Sequence, residues 1–316
     1  RRRARLGGAG ARLPLLLCVL ASCVFEGAPA AAAPWRAVLV TGASGRTGRI
    51  VVEKLVARGN YEVKALVRSD EGKKKVLRAV PGLPAGAVLV GDVMRPATLD
   101  QAMAGIFAVV IVTSAVPRIR LLSLVTALLG GLFRRRLRPK FRWKQDLKPE
   151  QVDWVGQRNQ VDAALRAGAE RIVLVGSMGG TQPDNFLNSI GEGGGDNILL
   201  WKRKAEMYLR DCCEGGATSY TIVHPGGLTD QRGGEREVLI GLDDQLLSRP
   251  VRSIPRSDVA EVCVQALDLA EAENRSFDVS CEPPGVGGPL APDGLAKLLD
   301  SLGGRSNDYA LNPPSA

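Results

Sequence analysis

The stretch Val40-Thr41-Gly42-Ala43-Ser44-Gly45-Arg46-Thr47-Gly48 decides the fold. It continues the short β-branched run Ala37-Val38-Leu39-Val40, the pattern of a strand covered on both faces. After the glycines, Val52, Leu55 and Val56 recur at helical spacing, so the loop sits where a strand turns into a helix. Lacking a Cβ, Gly42 permits a tight turn, Gly45 lets a phosphate reach the backbone, and Gly48 lets helix and strand approach. Ser44 and Thr47 belong to the same loop. The unpaired N–H groups of the helix's first turn then face a pyrophosphate. A glycine triplet alone is also an ordinary turn; the strand before and the helix after make this one a dinucleotide loop.

A second strand, Glu62-Val63-Lys64-Ala65-Leu66-Val67, ends at Arg68, where an NAD-selective site would carry an acid for the ribose diol. Arg68 and Arg46 instead suit a 2′-phosphate, because guanidinium forks pair with phosphate oxygens. The cofactor expected is therefore NADP rather than NAD, although Asp70 would approach the ribose if the strand ended later. A third strand over Ala87–Asp92 brings Asp92 and the adjoining Val93 to the adenine side, where Asp92 either accepts from the adenine amino group or caps the following helix.

Further apolar runs alternate with helical spacing. Phe107–Ser114 and Arg171–Ser177 read as strands, a helix carries Val161, Ala164 and Leu165 and ends at Gly168, another spans about 201 to 209, and strands follow at Ser219–His224 and Ser276–Ser280. Pro255 and Ser257-Asp258 begin a helix carrying Val259, Val262, Cys263 and Ala266. Such alternation requires right-handed crossovers and a sheet with both faces covered. The expected class is α/β, a doubly wound, mostly parallel Rossmann sheet over residues 37–303, with a small C-terminal lobe on the substrate side. Residues 304–316 read as a loose tail.

The 316 residues are 45% apolar and 24% charged, which excludes disorder for most of the chain. Residues 1–36 stand apart: arginines precede an apolar run over 13–25 and an Ala/Pro stretch, the layout of a targeting leader. A plastid destination is expected, with the secretory pathway as the alternative. The net charge of +9 is concentrated in this leader and in residues 118–148, leaving the remainder acidic, so no nucleic-acid surface is implied. Cys212, Cys213, Cys263 and Cys281 have neither metal-site spacing nor a disulfide framework.

Taken in order, Thr41–Gly48, Leu66-Val67-Arg68-Ser69, Gly91-Asp92, Thr113-Ser114-Ala115-Val116-Pro117, Glu150–Trp154, Val175–Gly180, Trp201–Glu206 and Asp258–Val262 give the chain a close resemblance to a known family. It resembles plant NAD(P)-binding proteins of the atypical short-chain dehydrogenase/reductase superfamily, near the NmrA-like and flavin or biliverdin reductase branches. The resemblance implies a Rossmann fold with bound NADP. It also implies cofactor contacts from Thr113, Ser114, Ala115, Ser177, Lys204, Pro225, Gly226 and Gly227, with Ser177 and Lys204 as the catalytic candidates.

Two departures stand out. Dehydrogenases of the superfamily pass a proton through a Tyr-x-x-x-Lys pair, but here Trp201 stands three positions before Lys204 and Leu200 four before. An indole N–H donates a hydrogen bond without titrating near neutrality. Ser177 remains able to orient a carbonyl and Lys204 to hold the nicotinamide ribose. His224, the single histidine, ends a strand, where bonding to backbone is the simplest expectation. The second departure is the apolar run 121–133 followed by clustered cations to 144. It reads as an interfacial helix for peripheral membrane contact, or as a buried helix with a solvated basic tail. The function expected is NADP-dependent hydride transfer to a conjugated small molecule of quinone, flavin or bilin type. The rival is a non-enzymatic NADP-binding regulator or assembly factor.

Overall fold

The computed structural model describes residues 36–119, 141–143, 147–191 and 195–312. The leader and most of the 121–144 insertion lie outside these residues. What brackets the insertion is described: β5 (Pro117–Ile119) and β6 (Phe141–Trp143) pair antiparallel, with Pro117 opposite Trp143. Among the described residues no helix is long and apolar enough to cross a membrane.

Strands β1 (Arg36–Thr41), β2 (Tyr61–Val67), β3 (Val88–Val90), β4 (Ala108–Ile111), β7 (Arg171–Val175), β8 (Ser219–Pro225), β10 (Val238–Gly241) and β12 (Arg275–Cys281) form an eight-stranded sheet in the order β10-β12-β8-β7-β4-β1-β2-β3. Every pairing is parallel except β10 with β12. The central strands are buried along nearly their whole length, as their unbroken Val/Ile/Leu runs require. Helices α1 (Arg46–Arg58) and α6 (Arg256–Ala266) cover one face, with Val51, Val52 and Leu55 packed in one core with Val259, Val262 and Cys263. Helices α3 (Pro96–Met103), α4 (Gly156–Arg166) and α5 (Ile198–Cys213) cover the other through Leu99, Met103, Val161 and Leu209. Helices α2 (Asp70–Ala79), through Val76, and α7 (Gly294–Ser301), through Leu295 and Leu299, join the core under α1 and α6.

Chain direction across the sheet reverses at β1, which has β2 on one side and β4 on the other. The loops after β1 and β4 therefore diverge and leave a crevice at the carboxyl ends of the strands, the position where this class of sheet takes its ligands. A short parallel pair, β9 (Gly227–Thr229) with β11 (Ser253–Pro255), closes the far side of that crevice.

Of the tail, residues 304–312 are described, and there Asn307 and Tyr309 anchor the chain, which corrects the loose-tail expectation for that part. Asn307 and Tyr309 are buried, and Arg203 donates to the carbonyls of Asp308 at 2.8 Å and Leu311 at 2.6 Å while its guanidinium stacks on Tyr309. Polar partners on α5 and β8 hold this strap, so a short polar sequence becomes ordered by tertiary contacts.

Candidate functional site

A cavity of about 960 Å³ occupies the crevice. At one end, β1 runs into Gly42, whose φ of +69° and close approach to Val112 O leave no room for a side chain. A Cβ on Gly48 would stand 2.4 Å from Gly42 O, so α1 starts in direct contact with the loop. The N-cap of α1 is Gly45, with no side-chain capping bond. Its first N–H groups are left for a ligand, which is the donor arrangement a pyrophosphate needs.

Arg68 follows β2, is exposed, lines the cavity and has no ion-pair partner among the described residues. Asp70 is the first residue of α2 and does not line the cavity, so at the end of β2 it is Arg68 that reaches the cavity. Asp92 and Val93 line the cavity, and Asp92 Oδ1 accepts from Met94 N at 3.0 Å in a turn ahead of α3, whose N-cap is Arg95. Thr113, Ser114 and Ala115 line the cavity beyond β4. They are fixed from behind by Gln157, which donates to Thr113 O at 3.1 Å, and by Ala115 N donating to Asp153 Oδ2 at 3.0 Å. Ser177, just past β7, and Pro225, Gly226 and Gly227, at the end of β8, complete the wall. A Cβ on Gly226 would meet Arg252 O at 2.1 Å, which explains a glycine there.

The lysine needs correction. Lys204 does not line the cavity; its ammonium lies over the rings of Trp154, at 5.1 Å, and Trp201, at 5.9 Å. Lys202 lines it instead, with its ammonium 2.8 Å from Asp153 Oδ1. Helix α5 begins at Ile198, and its buried positions Ile198, Lys202, Ala205, Glu206 and Leu209 form one face. That phase could have been read from the apolar positions. Four residues before Lys202 stands Ile198, so the position of the superfamily's tyrosine is occupied by an aliphatic side chain with no proton to give. Asp153 comes from a single π-helical turn, Glu150–Val155, ahead of α4, a type of irregularity frequent at functional sites.

His224 faces away from the cavity, and its partners are side chains rather than backbone. Its Nε2 lies 3.1 Å from Glu206 Oε2 and its Nδ1 3.3 Å from Asp278 Oδ1, all buried. Burial alone disfavours the imidazolium, but the two carboxylates outweigh it and push its pKa up to about 10. Glu206 is held below the usual carboxylate range: burial works against ionisation, and His224 followed by Lys202 and Arg203 overcomes it. A Cβ on Gly176 would meet Glu206 Oε1 at 2.2 Å, so this charged cluster presses on the strand end that carries Ser177.

Beyond the cofactor wall the cavity turns apolar, lined by Leu147, Val152, Met178, Leu187, Leu247 and Pro250. Loop, crevice and residue spacing agree with the model of an NAD(P)H-binding family, which matches residues 42–269. The chain belongs to this family. It is 45% identical over 261 residues to sanguinarine reductase of Eschscholzia californica, covering 79% of this chain and 90% of that protein. It is 48% identical over 253 residues to an uncharacterised chloroplastic protein of Arabidopsis thaliana, covering 80% and 71% of the two chains. Among solved structures, a putative NAD-dependent epimerase/dehydratase from Bacillus halodurans superposes with a TM-score of 0.59 at 23% identity, over 84% of this chain and 99% of its own. That likeness concerns the fold. One of these relatives is named a reductase, and the chloroplastic name of the other agrees with the plastid destination read from the leader.

Proposed function

We propose that the protein is an NADPH-dependent reductase that passes hydride to a flat, conjugated small molecule of quinone, flavin or bilin type. The observation that carries the reading is a cavity that runs from the glycine-rich strand-to-helix loop into an apolar chamber, with no tyrosine or histidine among its lining residues to act as a proton donor. Reduction of an isolated carbonyl leaves an alkoxide that needs a positioned acid. A conjugated acceptor spreads the incoming charge and takes its proton from solvent. The similarity to a sanguinarine reductase supports the reductase class.

The nicotinamide supplies the hydride when bound. The chain's own residues bind and orient. Gly45 and the start of α1 receive the pyrophosphate, Arg68 and Arg46 favour a 2′-phosphate and hence NADP over NAD, and Lys202, fixed by Asp153, presents its ammonium toward the ribose side. Ser177 orients the acceptor, while Leu187, Met178 and Leu247 exclude water from its faces. Anaerobic oxidation of NADPH by the purified protein against quinones, flavins and bilins tests this reading. Turnover of at least one class is expected. Tight NADPH binding without turnover of any would favour a regulator, the reading to which Ile198 also lends itself.

A further inference from the structure

At the mouth of the cavity one carboxylate holds two arginines. Asp230, just past β9, lies 2.8 Å from Arg46 through Oδ2 and 2.7 Å from Arg256 through Oδ1. Arg46 opens α1 and Arg256 opens α6, and both line the cavity, whereas Asp230 does not. The guanidinium groups are thus drawn together beside the loop that receives the phosphates. Arg256 is buried and Arg46 is its nearest like charge, so both burial and Arg46 work against its cation while Asp230 supports it. The loop that follows Asp230 is fitted against α6: Gly234 N donates to Asp258 Oδ1 at 2.7 Å, and a Cβ on Gly233 would stand 2.5 Å from that same oxygen.

We infer that Asp230 is the internal anion against which a dinucleotide phosphate competes for Arg46 and Arg256, so that this one exposed carboxylate sets the affinity and selectivity of the cofactor site. Arg46 can point its fork at Asp230 or at a phosphate, and each hydrogen bond to one is lost to the other. Removing the negative charge leaves two adjacent cations seeking an anion. A cofactor with an additional 2′-phosphate gains most. The inference extends the NADPH reading but requires only that a dinucleotide binds, which the family membership establishes.

The test is equilibrium binding of NADPH and NADH to the full protein by fluorescence titration at low and moderate salt, for wild type, Asp230→Asn and Asp230→Glu. Asp230 is exposed, so the substitutions leave the core untouched, and a thermal melt checks this. NADPH is expected to bind Asp230→Asn about threefold to fivefold tighter, the scale of an exposed ion pair released for a ligand, with the gain shrinking as salt rises. NADH should gain less, and Asp230→Glu should stay near wild type. Weaker or unchanged NADPH binding by Asp230→Asn would overturn the inference, because Asp230 would then be organising the arginines rather than competing for them. Equal wild-type affinities for NADPH and NADH would defeat the NADP preference instead, leaving the effect on the shared pyrophosphate to be judged by the same titrations.

Discussion

The Lys202 ammonium stands 2.8 Å from Asp153 Oδ1 in a buried pair, without the alignment of a hydrogen bond. Asp153 Oδ2 meanwhile accepts from Ala115 N, so the carboxylate ties α5 to the strand end after β4. The ammonium retains N–H groups for a ligand in the cavity, and the carboxylate keeps its position fixed from behind. Charge and placement together explain how a lysine can be buried at the cofactor wall.

Removing Lys202 exposes both roles. Lys202→Ala leaves Asp153 buried and unpaired, which is expected to cost about 3–5 kcal/mol of stability. Catalytic efficiency should fall by about 10²-fold, as loss of a positioning group does. A Lys202→Met/Asp153→Leu double variant should be markedly more stable than the two single losses imply when summed. Lys204→Ala removes a cation–π contact worth about 1 kcal/mol or less and should leave NADPH affinity unchanged. Denaturant melts and cofactor titrations on these three variants, with Lys202→Met and Asp153→Leu alone to complete the cycle, decide between the two lysines.

Arg68→Ala should weaken NADPH by about 1–3 kcal/mol, the range of a charge-assisted hydrogen-bonded pair, and leave NADH almost untouched. Parallel titrations with the two cofactors give the comparison. Loss of affinity for both in equal measure would place Arg68 at the shared part of the dinucleotide.

Trp201 lies beside Lys204, outside the cavity. Trp201→Phe is therefore expected to keep the hydride-transfer rate within about tenfold, and Trp201→Tyr should not create carbonyl reductase activity, because a phenol there reaches no substrate. Stopped-flow rates with the same acceptor measure the first, and ketone reduction assays the second.

The buried histidine makes stability depend on pH with a definite sign. His224 is raised from 6.5 to about 10 in the folded protein, so its contribution is complete below about 6.5 and is lost as pH rises toward 10. Glu206, depressed by its surroundings, contributes above its ordinary value and loses this as pH falls through its folded pKa. Asp278, raised chiefly by burial, opposes the folded state once it ionises. Melting temperature should decline steadily between about pH 7 and pH 10 in the wild type, and His224→Gln, though less stable, should show a flatter alkaline limb.

The glycine-rich loop between β1 and α1 was legible because its signals are local. A strand, three glycines and a helix lie within a few residues of one another, and the order of the later strands follows from alternating patterns. The lysine was misread by two positions because Trp201-Lys202-Arg203-Lys204 offers two candidates and only the phase of the buried face, set three residues earlier at Ile198, chooses between them. The partners of His224 and Arg46 were invisible for a different reason. Asp278 and Asp230 lie 54 and 184 residues away in sequence, and only the closed sheet brings them together. The C-terminal strap was mistaken for a tail because its order comes from Arg203 and Glu206, not from its own composition.

The central claim is that hydride leaves NADPH for a conjugated acceptor in the apolar chamber without help from a protein acid. Single-turnover reaction with NADPH deuterated at the transferring carbon, followed by mass analysis of the reduced acceptor, addresses it directly. Loss of the deuterium from the cofactor is expected, with the label retained in the product where the acceptor takes hydride at carbon and washed into solvent where it takes it at nitrogen or oxygen, at a rate that Trp201→Phe changes by less than about tenfold. Recovery of unoxidised, fully deuterated cofactor from every quinone, flavin and bilin mixture would contradict the reductase account.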